Sequence, residues 1–342
     1  MPIDPIRLAR QLIDIPSPTE FEREIGEFLD PLLASLGFSC ERHYVSNERF
    51  NILARTAARP HVILCTHIDT VPPFFASSED GSHLYGRGAC DTKGLMAAMI
   101  CAAEALLGAG VDGFGLLLVV GEETDSIGAK RANEHFAGLG SEYVVVGEPT
   151  ESTFVRATKG ALTAKVEFAG VAAHSAYPER GDSAIVKLAE AILAISAFDW
   201  GESPSLGRTT ANVGVVLGGL KANIVPPSAE LDMIFRVVEE PETVLRRLES
   251  LVAPFDGHVS RWYGNAPVPM VVPHGVRSTV VAFNTDAPHL GNLGRPLLFG
   301  PGSILDAHTD REKIAKGDIL AAIETYRALV PDLIDGKVIE HV

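Results

Sequence analysis

The chain has 342 residues, with 29 basic and 44 acidic side chains and a formal net charge of −15. An apolar share of 46% and a charged share of 21% mark a folded globular protein of one large or two modest domains, not a disordered one. The acidic balance argues against nucleic acid or a membrane surface as the main partner, because either needs clustered Lys and Arg.

Nothing approaches the ~20 consecutive apolar residues of a membrane span. The N-terminal stretch carries Asp4, Arg7, Arg10 and Asp14 at short intervals, the pattern of an amphipathic helix and not of a secretory signal. The four cysteines, Cys40, Cys65, Cys90 and Cys101, show no C-x-x-C spacing, so a reducing cytoplasm is the expected compartment.

In chain order, helices are expected over Pro5–Ile15 and Glu20–Leu36, the second closed by Gly37. His61–Cys65 is a continuous apolar run, as in a strand buried on both faces. Leu95, Met99, Ala103 and Leu106 follow at helical spacing. Then come a strand at Leu116–Val120, a helix from Ser126 to Phe136 and a strand at Tyr143–Val146. This alternation predicts a doubly wound α/β domain around a mainly parallel sheet.

The pattern changes near residue 160. Thr163–Phe168 alternates polar and apolar, and a helix follows with Asp182 or Ser183 as N-cap and Ile185, Leu188, Ala189 and Ile192 on one side. Strands at Ala211–Leu217 and Ala229–Val237, a helix at Pro241–Leu251 and a strand at Gly257–Trp262 complete a β-α-β-β-α-β order, the ferredoxin-like split unit. We therefore expect an inserted α+β lid or dimerisation domain over 160–266, within a catalytic domain made of 1–159 and 267–342. A last helix is expected over Ile314–Leu329.

Ligands of open parallel sheets sit beyond the carboxyl ends of the strands. Three such ends carry chemistry: Thr66-His67-Ile68-Asp69-Thr70, Gly121-Glu122-Glu123 and Gly147-Glu148-Pro149-Thr150. Between the first two lies the glycine-rich turn Gly86–Gly94, with Asp91 before a helix. Singly, each is bland: His-x-Asp can be structural and paired glutamates merely solvated. Together, imidazole and carboxylates without thiolates suggest a mixed N/O site for zinc, with manganese or cobalt as substitutes. A carboxylate bridging two cations is needed if both lie a few Å apart, and Asp91 is the natural candidate. Adjacent Glu122 and Glu123 can diverge, one towards metal and the other towards the proton of an attacking water.

These motifs resemble the family containing acetylornithine deacetylase, succinyl-diaminopimelate desuccinylase, aminoacylase and related zinc carboxypeptidases. The resemblance runs over about residues 60 to 310, through His67–Pro72, Gly86–Gly94, Gly121–Glu123, Gly147–Thr150, Ala173-His174-Ser-Ala-Tyr-Pro178 and Gly300 to His308. It implies two divalent metal ions, with His67 and Glu148 on one, Glu123 and His308 on the other, and Asp91 between them. It implies that Asp69 orients His67, that Glu122 is the general base and that a non-proline cis peptide joins Asp91 to Thr92. From the inserted domain, His174 matches a histidine that reaches a neighbouring subunit's site in dimeric relatives and stabilises the oxyanion. Asn223 and Arg236 match substrate-holding positions, Arg236 as a carboxylate clamp, and Gly300 lies in a substrate-binding motif. Asn284–Pro288 departs from the family's threonine–aspartate turn by a proline where relatives often carry arginine.

The expectation is a cytoplasmic two-metal amidohydrolase acting on a small N-acyl amino acid or short peptide, paired as a homodimer through the inserted domain. Acetylornithine-type deacylation, in amino-acid biosynthesis, leads and succinyl-diaminopimelate-type desuccinylation follows. The alternative is a carboxypeptidase or dipeptidase of the same fold. A non-catalytic binding protein is disfavoured by Glu122 accompanying the whole ligand set.

Overall fold

The computed structural model describes residues 2–337. The chain divides into two compact units. The first holds the chain up to Arg156, then Pro269–Thr279, then the chain from Thr285 onward. The second holds Ala157–Val268 and Val280–Asn284, a stretch the sequence had placed with the first.

The first unit is built on a mixed sheet. Its strands run in the order Ser39–Tyr44, Phe50–Arg55, Phe114–Val119, Val62–His67, Tyr143–Val146, Arg295–Leu298 and the opening residues of Phe154–Thr158, a strand that runs on past Arg156. The central four are parallel, whereas both flanks pair antiparallel. Parallelism is thus confined to the centre, where helices cover both faces and every residue of Val62–His67 and Phe114–Val119 is buried. The helix Gly94–Gly108 packs apolar residues all round, as a fully covered helix must. It lies against Lys316–Ile334, whose buried Tyr326 donates a hydrogen bond to Phe299 O at 2.9 Å. That last helix starts later than expected, because Lys313–Ala315 is drawn into a short strand against His83–Tyr85.

The second unit has the β-α-β-β-α-β order read from the sequence. Its antiparallel strands lie in the order Thr210–Gly218, Ser228–Val237, Gly160–Ala169 and Gly257–Asn265. Strict alternation buries Leu231, Met233 and Phe235 against the helices Ala184–Ala197 and Pro241–Val252. Ser183 caps the first of these helices by accepting from Val186 N. The buried stripe of that helix is Ala184, Leu188, Ala191 and Ile195; of the expected stripe, Leu188 is buried and Ile192 packs partly buried on the same core, while Ala189 faces outward. Ile185 is exposed, because apolar residues surround this helix and periodicity alone does not choose the face that meets the sheet. Among the described residues, no helix is long and apolar enough to cross a membrane.

Candidate metal centre

The strand Val62–His67 ends by delivering His67 to the rim of the parallel sheet, and Ile68 N continues the pairing by donating to Val119 O. Asp69 follows as a buried acceptor. It receives Thr19 Oγ1 at 2.7 Å, Glu122 N at 3.1 Å and Glu123 N at 3.3 Å. Burial opposes its ionisation, but His67, Thr19 and the Glu122 N–H hold its carboxyl below the usual range. Asp69 therefore fixes the turn carrying both glutamates. His67 Nδ1 meets the backbone oxygen of Asp69 at 2.9 Å, nearer than the Asp69 carboxylate at 3.5 Å. The orienting contact expected of the Asp69 side chain is thus shared with its carbonyl.

The turn from Gly86 to Gly94 positions Asp91. Its Asp91–Thr92 peptide bond is cis, as the resemblance implied. Thr92 Oγ1 donates to His67 O at 3.0 Å, joining the turn to the first strand end. Glu312, fully buried, accepts from Cys90 N, Asp91 N and Arg87 Nη1 at 3.0, 3.1 and 2.6 Å. Sequence reading missed Glu312, whose partners lie more than two hundred residues away. The buried Asp286 stands in the Asn284–Pro288 turn noted in the sequence but given no site role there; burial pushes its carboxyl up to about 7, and its Oδ1 has no partner among the described residues.

Asp91 presents one oxygen to each of two histidines. His67 Nε2 lies 3.0 Å from Oδ1, and His308 Nε2 lies 3.3 Å from Oδ2. His308 Nε2 also lies 2.9 Å from Glu123 Oε2. Ligand atoms of His67, Asp91 and Glu123 fall within 4.8 Å of one another, as do those of His67, Glu122 and Glu148. The structure thus gathers His67, Asp69, Asp91, Glu122, Glu123, Glu148 and His308.

Electrostatics shows what the cluster lacks. Burial, and then the neighbouring Asp286, Glu123 and Asp91, push the Glu122 carboxyl well above its ordinary value, with His67 opposing. Burial and Glu122 do the same to Glu148. Hydrogen bonding to Asp91 and Glu123 raises His308 to about 10. Burial would depress His67, but Asp69 and Asp91 outweigh it and hold its imidazole well above normal. Glu123 Oε1 is buried without a partner among the described residues, a costly state that a cation would relieve. Oxygen and imidazole donors with no thiolate among them suit divalent zinc, manganese or cobalt. The residues therefore fit a metal. Cys65 and Cys90 are buried thiols raised by desolvation, and Cys90 Sγ donates to Ser303 O at 3.1 Å.

Gly300 is not an open substrate contact. Its N–H donates to Thr150 Oγ1 at 3.0 Å, while its oxygen accepts from Thr150 N and Ser152 N. A Cβ there would lie 2.1 Å from Leu95 Cδ1 and 2.5 Å from Glu148 O. Gly300→Ala is expected to cost about 1–3 kcal/mol through overpacking, read as a lowered Tm. A raised KM with unchanged Tm would place Gly300 at the substrate instead.

In the second unit, His174 and Asn223 stand on adjacent exposed loops. Ser175 N donates to Asn223 O at 3.1 Å, and His174 bridges to Ile224. His174 Nδ1 accepts from Ala176 N at 3.1 Å, which leaves Nε2 carrying the proton of the neutral ring. Arg236 lies on Ser228–Val237, and among the described residues its half-buried guanidinium has no ion-pair partner.

A family model described as a peptidase dimerisation domain matches residues 156–259. A probable carboxypeptidase of Aspergillus clavatus is 33% identical over 94% of this chain and 86% of its own length. A Schizosaccharomyces pombe protein named as containing a peptidase M20 domain is 34% identical over 95% of this chain and 84% of its own. A solved M20 family metallo-carboxypeptidase from Sulfolobus solfataricus superposes with a TM-score of 0.78 at 18% identity, covering 96% of this chain and 98% of that one.

Proposed function

This chain belongs to the M20 peptidase family and is a metal-dependent hydrolase of amide bonds; on that premise we propose that it is a metallo-carboxypeptidase acting on dipeptides or short peptides. The relatives' names favour this alternative over the deacylation of acetylornithine or succinyl-diaminopimelate type that led the sequence reading. The observation that carries the chemistry is Asp91, with one oxygen towards His67 and the other towards His308.

We assign His67, Asp91, Glu123, Glu148 and His308 to holding two divalent cations. Cations there supply Lewis acidity towards the scissile carbonyl and make water more acidic. Glu122 takes a proton from the attacking water and returns it to the leaving amine. Burial and neighbouring carboxylates push its carboxyl above its ordinary value, the direction that favours accepting a proton. Asp69 holds the Glu122 and Glu123 backbone in place. From the second unit, Arg236 is assigned the substrate's free carboxylate, supported by its lack of an ion-pair partner among the described residues, and Asn223 a substrate polar group. His174, with Nε2–H free to donate, is assigned the developing oxyanion. The match to a dimerisation domain supports pairing of two copies through this unit.

The test is a panel offered to metal-loaded protein: unblocked dipeptides, the same dipeptides amidated at the C-terminus, N-acetylornithine, other N-acetyl amino acids and N-succinyl-diaminopimelate. Unblocked dipeptides should show kcat/KM at least about tenfold above the N-acyl amino acids, and amidation should remove most of it by depriving Arg236 of its partner. Faster turnover of N-acyl amino acids would restore the deacylase reading.

A further inference from the structure

Six large apolar side chains of the first unit are exposed among the described residues: Phe21, Tyr44, Phe74, Val276, Leu305 and Leu320. Scattered exposed apolar residues need no explanation. Three of these are not scattered, because each stands on a loop fastened to the metal centre or to its immediate supports.

Phe21, 70% exposed, closes the turn in which its N–H donates to Pro18 O. The same turn carries Thr19, the donor to Asp69, and Pro18 bridges to Thr70. Phe74, 42% exposed, lies on the loop leaving Thr70. Arg87 anchors that loop, donating through Nε to Pro73 O at 3.2 Å and through its backbone N–H to Phe75 O at 3.1 Å. Arg87 is also the partner of Glu312, which holds the Asp91 backbone. Leu305, 81% exposed, lies between His308 and Ser303, whose oxygen receives the Cys90 thiol beside Asp91. In all three loops hydrogen bonds fix the backbone while the apolar side chain stays in water. An apolar side chain on a loop whose backbone is held in this way to the site's own residues is what recognition of a substrate side chain requires.

We propose that Phe21, Phe74 and Leu305 form an apolar collar beside the metal centre that selects substrates with a bulky apolar side chain next to the scissile amide. The collar rests on the hydrolase reading above and adds the substrate class to it.

The experiment compares metal-loaded protein on dipeptides that carry Leu, Phe, Ser or Asp in turn on either side of the bond. Wild type should favour Leu and Phe over Ser and Asp by about tenfold or more in kcat/KM at one of the two positions. The double variant Phe21→Ser, Leu305→Ser should lose most of that preference through a raised KM for the Leu and Phe substrates, with kcat and Tm little changed. Leu320→Ser, an exposed apolar change on the last helix, should leave the preference as it was. Equal turnover of all side chains by wild type, or an undiminished preference in the double variant, overturns the collar while leaving the hydrolase intact. No hydrolysis of any dipeptide overturns both.

Discussion

Glu122→Gln is expected to lower kcat by about a thousandfold, within the 10²–10⁴ that general acid–base catalysis supplies, with KM nearly unchanged. Glutamine keeps the volume and the backbone hydrogen bond to Asp69 but has no carboxylate to accept a proton. Two readings of this residue are separated by metal content. Its ligand atoms group with those of His67 and Glu148, so a Glu122 that bound metal would lose cation and turnover together in the variant. A Glu122 that moves protons loses turnover alone, and the account predicts two cations per chain bound as in wild type.

Stability gives an independent check. In the metal-free protein the Glu122 carboxyl is raised by burial and by its neighbours. A raised acid costs stability as pH climbs above its unfolded value, because the unfolded chain can ionise where the folded one resists. The neutral amide removes that cost, so metal-free Glu122→Gln should have a Tm at neutral pH no lower than wild type. A variant that is both inactive and markedly less stable would point to a structural role.

The parts of the site legible in the sequence follow directly from strand physics. Parallel strands buried on both faces read as unbroken apolar runs, so the polar groups after Cys65, Val120 and Val146 stand out as strand ends. Flanking strands were less visible. Ser39–Tyr44 is a polar edge strand with only partial burial, and Lys313–Ala315 exists only because His83–Tyr85 pairs with it. Glu312 and Thr19 owe their places to tertiary hydrogen bonds, and no local pattern marks them; Thr92 lies in the legible Gly86–Gly94 turn, but its bond to His67 O is tertiary. The alternation of the second unit gave its strands clearly, since one face of that sheet is wet. Its helix stripe was only half right, with Leu188 and Ile192 on the core but Ile185 and Ala189 outside it, because Ala184–Ala197 is apolar on more than one side.

The second large effect is metal removal. Stripping the cations leaves Asp91, Glu122, Glu123 and Glu148 crowded around two histidines, with one Glu123 oxygen buried and without a partner among the described residues. Hydrolysis should fall to background, because Glu122 alone has no acidified water and no polarised carbonyl to act upon. Tm should fall as well, since a ligand at one hundred times its Kd contributes about 2.7 kcal/mol per site to the folded state. The most direct measurement is therefore a titration of chelator-stripped protein with zinc, manganese or cobalt, following free amino acid released from an unblocked dipeptide against metal bound per chain. The account predicts no release at the start and a rise that levels off at two bound cations per chain. Full-rate hydrolysis by protein from which all metal has been removed would contradict it.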